Sequence, residues 1–266
     1  MALALESTLL RQAGMRHGFF TRQGGVSAPP WDSFNVSFTT GDAPEAVREN
    51  LARAAAALRV TTERIYFLSQ VHGTTCRVIA GDETAPEVRA ERGDVTLSRV
   101  PTAACAVRVA DCVPVLLADR RSGAVAAVHA GWRGVVRGVV PAAVAALRGL
   151  GGGPLDLVAA VGPHIEACCF EVGEDVAMAL AGASPLGEAA VDRSRPKARV
   201  SLRRIIEAQL RASDAEHLAV DHVLGCTVCD PTRFHSYRRD GKRGGRMLAA
   251  IVAPGTPTQF EALVLP

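Results

Sequence analysis

Aromatic residues make up only 5% of this 266-residue chain, too few to interleave with basic residues as a stacking platform for single-stranded nucleic acid. An excess of one charge is also missing. The 30 Lys and Arg stand against 27 Asp and Glu, a formal net charge of +3, and the two signs are interspersed, so no basic tract points to a nucleic-acid partner. No stretch reaches the roughly 18 uncharged apolar residues of a membrane span, the nearest candidate being broken by Arg133 and Arg137. The N-terminus has no basic opening and carries Glu6 early, which argues against a secretory signal. No Gly-x-Gly-x-x-Gly follows the first strand, which removes the nicotinamide fingerprint. Seven cysteines, an odd number, fit reduced thiols better than a disulfide framework, so the cytoplasm is the expected compartment.

What the chain does have is apolar bulk. A hydrophobic content of 48% is enough to bury a large core, and no Pro/Gly/Ser-rich linker divides it, so a single domain over residues 1–266 is expected. Ala43-Pro44-Glu45 opens an alanine-rich helix running through Leu58, with Pro44 suited to its first turn. Short apolar runs at Ile65–Leu68, Ala103–Val109, Val113–Ala118, Val125–Val128, Leu155–Val161 and Leu218–Val223 read as strands. Near the start of the chain no strict alternation marks a strand. Val135–Leu150 reads as one long helix despite Pro141, Glu174–Leu180 as a short one followed by a polar loop through Ala198, and Val200–Ser213 as an amphipathic one.

Three of these runs end in chemistry. Ser69-Gln-Val-His72-Gly73, Asp111-Cys112 and His129-Ala-Gly-Trp-Arg133 deliver two imidazoles and a thiol to strand ends, next to glycines that allow close backbone approach. Zinc and copper both accept two His nitrogens and one Cys sulfur, and three protein ligands leave a fourth position open, as in catalytic sites. The spacing is not that of a compact finger: His72 lies 40 residues before Cys112, and Cys112 lies 17 before His129. Taken one at a time, each of the three reads more readily as a structural residue than as a ligand; it is their joint placement at strand ends beside glycines that favours a site.

The segments Phe67-Leu-Ser-Gln-Val-His-Gly73, Ala110-Asp-Cys-Val-Pro-Val115, His129-Ala-Gly-Trp-Arg-Gly134 and Val161-Gly-Pro-His-Ile165 resemble the laccase-domain, or multicopper polyphenol oxidase, family. That family is also known as the YfiH-like purine nucleoside phosphorylases. Thr21-Arg-Gln-Gly-Gly-Val-Ser27, Phe34-Asn35, Gly93-Asp94 and Phe234-His-Ser-Tyr-Arg-Arg239 extend the likeness, in order, over nearly the whole chain. The resemblance implies an α+β fold, a four-layer α/β/β/α sandwich with mixed sheets, in place of a parallel Rossmann sheet. It assigns His72, Cys112 and His129 as metal ligands, with Zn2+ as the expected cofactor and copper as the alternative. It implies a phosphorylase of adenosine, inosine and methylthioadenosine, with purine nucleoside and phosphate as substrates and adenosine deamination as a companion activity. Polyphenol oxidation is the alternative carried by the family name, but the sequence has no series of His-x-His pairs to build the several copper centres that oxygen reduction requires. A cysteine hydrolase or amidase, with Cys112 as nucleophile and His129 as base, is a further alternative.

Other residues are assigned around this centre. Arg133 is expected to orient phosphate through its fork of donors. Asp111 is expected to hold an imidazole or an arginine in place, or else to cap a strand end. Arg22, Asn35, Gln70 and Arg238 lie in family-like motifs and are candidates for the same cavity. Relative to the family, His164 stands where Cys is frequent, and Glu166, His235 and Ser98 also depart, which bears on pocket shape. Cys226-Thr-Val-Cys229 has a metal-like spacing but no second such pair, Cys168 and Cys169 being adjacent, so these four read as structural or surface thiols.

Overall fold

The computed structural model of the chain describes residues 2–213 and 215–255, so the single domain expected over residues 1–266 extends past them. Two large mixed sheets lie face to face. One has five strands in the order Ala4–Leu5, Arg16–Phe20, Met247–Val252, Ala104–Val109 and Ile65–Tyr66. The other has six, in the order His217–His222, Asp156–Val161, Val113–Asp119, Val125–Ala130, Val95–Ser98 and Cys76–Ile79. Parallel pairs (Ile65–Tyr66 with Ala104–Val109, for example) sit beside antiparallel ones in both sheets.

The layering follows from the two-residue period of strand side chains. Along Met247–Val252, Met247, Ala249 and Ile251 join the core between the sheets, while Leu248, Ala250 and Val252 join the core under the helix Pro44–Leu58. In Val113–Asp119, Leu116 and Ala118 face the other sheet, whereas Val113, Val115 and Leu117 face the helices Val139–Gly151 and Leu202–Arg211. Helix, sheet, sheet, helix is therefore the order of layers, which is the four-layer α+β sandwich expected from the sequence.

Strands covered on both faces lose the polar alternation that would announce them. This is why Arg16–Phe20 and Met247–Val252 escape a pattern reading although both are central to their sheet. The expected long helix over Val135–Leu150 is instead two helices, Trp132–Val136 and Val139–Gly151, because Gly138 between them takes a left-handed φ of 83° and Pro141 falls in the first turn of the second. The loop expected from Leu180 through Ala198 holds the strand Val191–Asp192, which pairs with Ala198–Val200 at its end, and Glu171–Val172 from before the helix completes a three-stranded sheet. Ser201 caps Leu202–Arg211 by accepting from the Arg204 N–H. No helix among the described residues is long and apolar enough to cross a membrane.

Candidate functional site

Sheet register places the pocket. Pro114 pairs with His129 across antiparallel strands, so Cys112, two residues earlier, lies level with Gly131 at the same sheet end. Val95 pairs with Val128, which brings Asp94 alongside His129, and the His129 N–H donates to the Asp94 carbonyl at 2.8 Å. His72 arrives on the loop after Ile65–Tyr66. The donor atoms of His72, Cys112 and His129 all lie within 4.8 Å of one another, with 3.7 Å between Cys112 Sγ and His72 Nε2.

Gly131 makes this convergence possible. A Cβ on it would stand 2.5 Å from His72 Cδ2 and 2.9 Å from Cys112 Sγ. His72 and Asp111 are both held at left-handed φ, 57° and 85°, a conformation that costs a non-glycine residue energy and persists only where the surroundings enforce it. For His72 the enforcement comes from both sides: its N–H donates to Asp94 Oδ1 at 3.0 Å, and its carbonyl accepts from Arg137 Nη1 at 2.8 Å.

The carboxylate that orients an imidazole is Asp94, not Asp111. Asp94 Oδ1 lies 2.8 Å from His129 Nδ1, and Oδ2 accepts from the Gly73 N–H at 2.7 Å. Proton occupancy of Nδ1 leaves Nε2 as the nitrogen available to a metal. Asp111, expected to hold an imidazole or an arginine or else to cap a strand end, accepts the Arg238 backbone N–H and the Thr227 hydroxyl, each at 2.6 Å. Its left-handed backbone turns the carboxylate toward that loop.

Burial opposes ionisation of Cys112, but His129 and His72 more than offset it and bring its pKa down to about 6. Burial likewise opposes protonation of His129, but Cys112 and Asp94 raise its pKa to about 9. The site therefore favours the thiolate, the form in which cysteine binds a metal. A thiolate and two imidazoles, with glycine-scale clearance beside them, fit a zinc or copper ion held by three protein donors, the ion displacing the proton that His129 otherwise holds toward Cys112.

These donors open onto a cavity of about 670 Å³. Of the residues assigned from sequence, Arg133, Asp111, Gln70 and Arg238 line it. Arg22 and Asn35 do not: Arg22 binds Asp32 and the Pro231 carbonyl. Asn35 is fully buried, and its Oδ1 accepts the backbone N–H of Arg246 at 2.9 Å, so it acts on the pocket through that arginine.

Arg108 and Arg246 are pocket residues that the sequence reading missed. Arg108 lies over the Phe67 ring, its buried Nε has no hydrogen-bond partner, and burial together with Arg89 and Arg246 pushes its pKa down to about 10. Burial also lowers the pKa of Arg246, against the opposing charges of Cys112 and Asp111. Among the described residues none of the four lining arginines, Arg108, Arg133, Arg238 and Arg246, is in an ion pair with a carboxylate. The one lining carboxylate, Asp111, is already engaged. The cavity therefore carries four arginines against one carboxylate and the Cys112 thiolate, and Ile165, Phe170 and Leu202 add apolar lining, with Arg238 over the Phe170 ring.

Elsewhere, the four cysteines read from sequence as structural or surface thiols come together: Cys168, Cys169, Cys226 and Cys229 have sulfurs within 4.8 Å of one another.

Fold and site together define a mixed double-sheet sandwich with a candidate three-donor metal pocket at one sheet end. The chain belongs to the family described as multi-copper polyphenol oxidoreductase laccase, which matches residues 16–254. A protein named purine nucleoside phosphorylase from Mycobacterium tuberculosis is 40% identical over 84% of this chain and 86% of its own length. Purine nucleoside phosphorylase YfiH of Escherichia coli is 36% identical over 87% and 90%. Among solved structures, a hypothetical protein YfiH of Bacillus licheniformis superposes with a TM-score of 0.86 at 26% identity, over 95% of this chain and 96% of that one. YlmD from Geobacillus stearothermophilus gives 0.82 at 30% identity, over 91% and 93%.

Proposed function

We propose that the chain is a zinc-dependent purine nucleoside phosphorylase acting on adenosine, inosine and methylthioadenosine at the pocket of His72, Cys112 and His129. The observation that carries this reading is the set of carboxylate-free arginines beside the three metal donors. Cations that outnumber the anions around them, with Arg108 and Arg246 half-buried, favour an incoming anion, and phosphate is the anion that the named relatives' reaction consumes. In that reaction a phosphate oxygen forms a bond to C1′ of the ribose, the C1′–N9 bond breaks, and the purine leaves carrying a proton. Arg108 and Arg246 are placed to hold phosphate with fixed donors, and Arg133, exposed over Trp132, to close on it from the rim. Phe170, Ile165 and Leu202 line the same cavity and would give a purine ring apolar contact.

When bound, zinc would supply Lewis-acid stabilisation of negative charge next to the sugar. Asp94 holds His129 by Nδ1 and so would aim Nε2 at the ion. The test incubates metal-defined protein with each nucleoside, with and without phosphate. Free base and sugar 1-phosphate support the proposal, whereas inosine from adenosine without phosphate would assign deamination instead. The absence of metal-dependent turnover across the panel removes the reading.

A second reading draws on a different observation: Cys112, His129 and Asp94 line up as nucleophile, base and orienting acid, the arrangement of a cysteine hydrolase. A covalent adduct on Cys112 formed in metal-free, active protein would establish it. Stoichiometric zinc on Cys112 with no such adduct excludes it.

A further inference from the structure

The sulfurs of Cys168, Cys169, Cys226 and Cys229 have a specific mutual spacing. Cys168 Sγ lies 3.7 Å from Cys169 Sγ, 3.6 Å from Cys226 Sγ and 3.6 Å from Cys229 Sγ, and Cys169 Sγ lies 3.3 Å from Cys229 Sγ. A disulfide would require about 2.05 Å. A tetrahedron of sulfurs around zinc, with bonds of about 2.3 Å, has an edge of about 3.8 Å. All four cysteines are free thiols, and none belongs to the pocket described above.

We propose that these four cysteines form a second, structural zinc site that staples two loops at the rim of the nucleoside pocket. Three further features support it. The Cys226 sulfur faces the backbone N–H groups of Glu166, Cys229 and Val228, the kind of hydrogen bonding that offsets the charge of a metal-bound thiolate. Arg199, ion-paired with Glu171 at 2.7 Å, also lies within electrostatic range of Cys169 and Cys168. The cluster closes completely from protein ligands, which is the mark of a structural rather than a catalytic zinc. Zn2+ binding to four thiols releases their protons to solvent and involves no redox change.

The ligands come from two segments 57 residues apart, read as 226 minus 169. Those segments also carry pocket contacts. The Cys169 carbonyl accepts from Arg238 Nη1 at 3.2 Å, and Thr227, between the second pair of ligands, donates to Asp111. Phe170 follows Cys169 directly. A zinc here would hold the apolar wall and the Asp111 anchor in register without touching substrate.

The test measures zinc per chain on purified full-length protein, together with the sulfur shell around it. Cys112→Ala isolates the proposed site from the His72, Cys112 and His129 pocket, so the outcome is independent of the phosphorylase reading. Cys112→Ala should retain one zinc, with an X-ray absorption shell of four sulfurs. Cobalt exchanged into the same variant should show thiolate-to-cobalt charge transfer. Cys168→Ser combined with Cys229→Ser should lose one equivalent relative to wild type, and the absorption shell of Cys112→Ala, which keeps all four cysteines, is a separate criterion that does not depend on how that variant folds. A Cys112→Ala protein without bound zinc, a shell of nitrogen or oxygen, or a disulfide linking any two of these cysteines overturns the proposal.

Discussion

Asp94 and His129 are joined twice: the His129 backbone N–H donates to the Asp94 carbonyl at 2.8 Å, and His129 Nδ1 lies 2.8 Å from Asp94 Oδ1. The first bond belongs to the edge of the sheet ladder and the second to the pocket, so one residue couples the register of two strands to the orientation of a metal donor. Replacing the side chain leaves the first bond and removes the second, along with the bonds from the His72 and Gly73 N–H groups that hold the loop carrying His72. Asp94→Ala is therefore expected to weaken zinc binding at this site by about 10- to 100-fold, the usual cost of losing a carboxylate behind a ligating histidine. A chelator competition titration reads it, and unchanged affinity would show that Asp94 does not support the site.

Removal of a donor itself should act more severely. His72→Ala, Cys112→Ala and His129→Ala are each expected to lose zinc from the pocket while keeping the native circular dichroism, because the cores on either side are built from strands and helices that do not depend on these side chains. Metal analysis paired with spectra checks this, and full zinc retention in all three would mean the ion is elsewhere.

Gly131→Ala tests the clearance of the pocket without removing a donor. Gly131 has an ordinary φ of −71°, so backbone strain is not at issue, but its new methyl would press on His72 and Cys112. The expected result is loss of zinc and of turnover with the fold retained. Normal occupancy and kinetics would show that the loop carrying His72 yields at little cost.

Arg108→Ala should raise the KM for phosphate far more than that for nucleoside. Loss of a hydrogen bond to a charged group is worth about 1.5–3 kcal/mol, or roughly 10- to 100-fold by the same energy scale. Arg133→Ala should retain zinc and give a smaller effect in the same direction, its side chain being exposed. Equal changes in both substrates' KM would indicate a general disturbance of the pocket.

Stability should fall as pH drops below the ordinary range of histidine. Burial, together with Arg22, lowers the pKa of His235 to about 3, and Gly245 packs against its ring. In the unfolded chain the same imidazole titrates near about 6.5. Above that value both states are neutral and His235 contributes no pH dependence. Between about 6.5 and 3 the unfolded state binds a proton that the native state refuses, so stability falls by about 1.4 kcal/mol per pH unit from this residue. His17, also depressed by burial, adds in the same direction. Urea unfolding of the wild type and His235→Phe at pH 7, 6 and 5 should show a shallower slope in the variant. Parallel slopes would place the titration elsewhere.

The pocket was legible in the sequence because His72, Cys112 and His129 each follow an apolar run, and strand ends gather what they carry. Asp94 was less visible: only the pairing of Val95 with Val128 reveals that it faces His129. Arg108 sits within a strand in the middle of an apolar run, where nothing distinguishes a pocket-lining arginine from one at a sheet edge. The adjacent Cys168 and Cys169 match no metal spacing, and their convergence with Cys226 and Cys229 depends on the isolated bridge of His164 with Cys226 and on the hydrogen bonds around it. The central strands Arg16–Phe20 and Met247–Val252 lack alternation because both faces are covered. Each of these misses involves a long-range contact that local pattern cannot encode.

The most direct measurement follows inosine breakdown while zinc is titrated into metal-stripped protein, with phosphate present or omitted and with Cys112→Ala as the control. The account predicts that hypoxanthine and ribose 1-phosphate form in equal amounts, only with phosphate, at a rate that rises with zinc in the wild type and stays at background in Cys112→Ala. Phosphate-independent release of base, or turnover in the stripped protein equal to that of the zinc-loaded one, would contradict it.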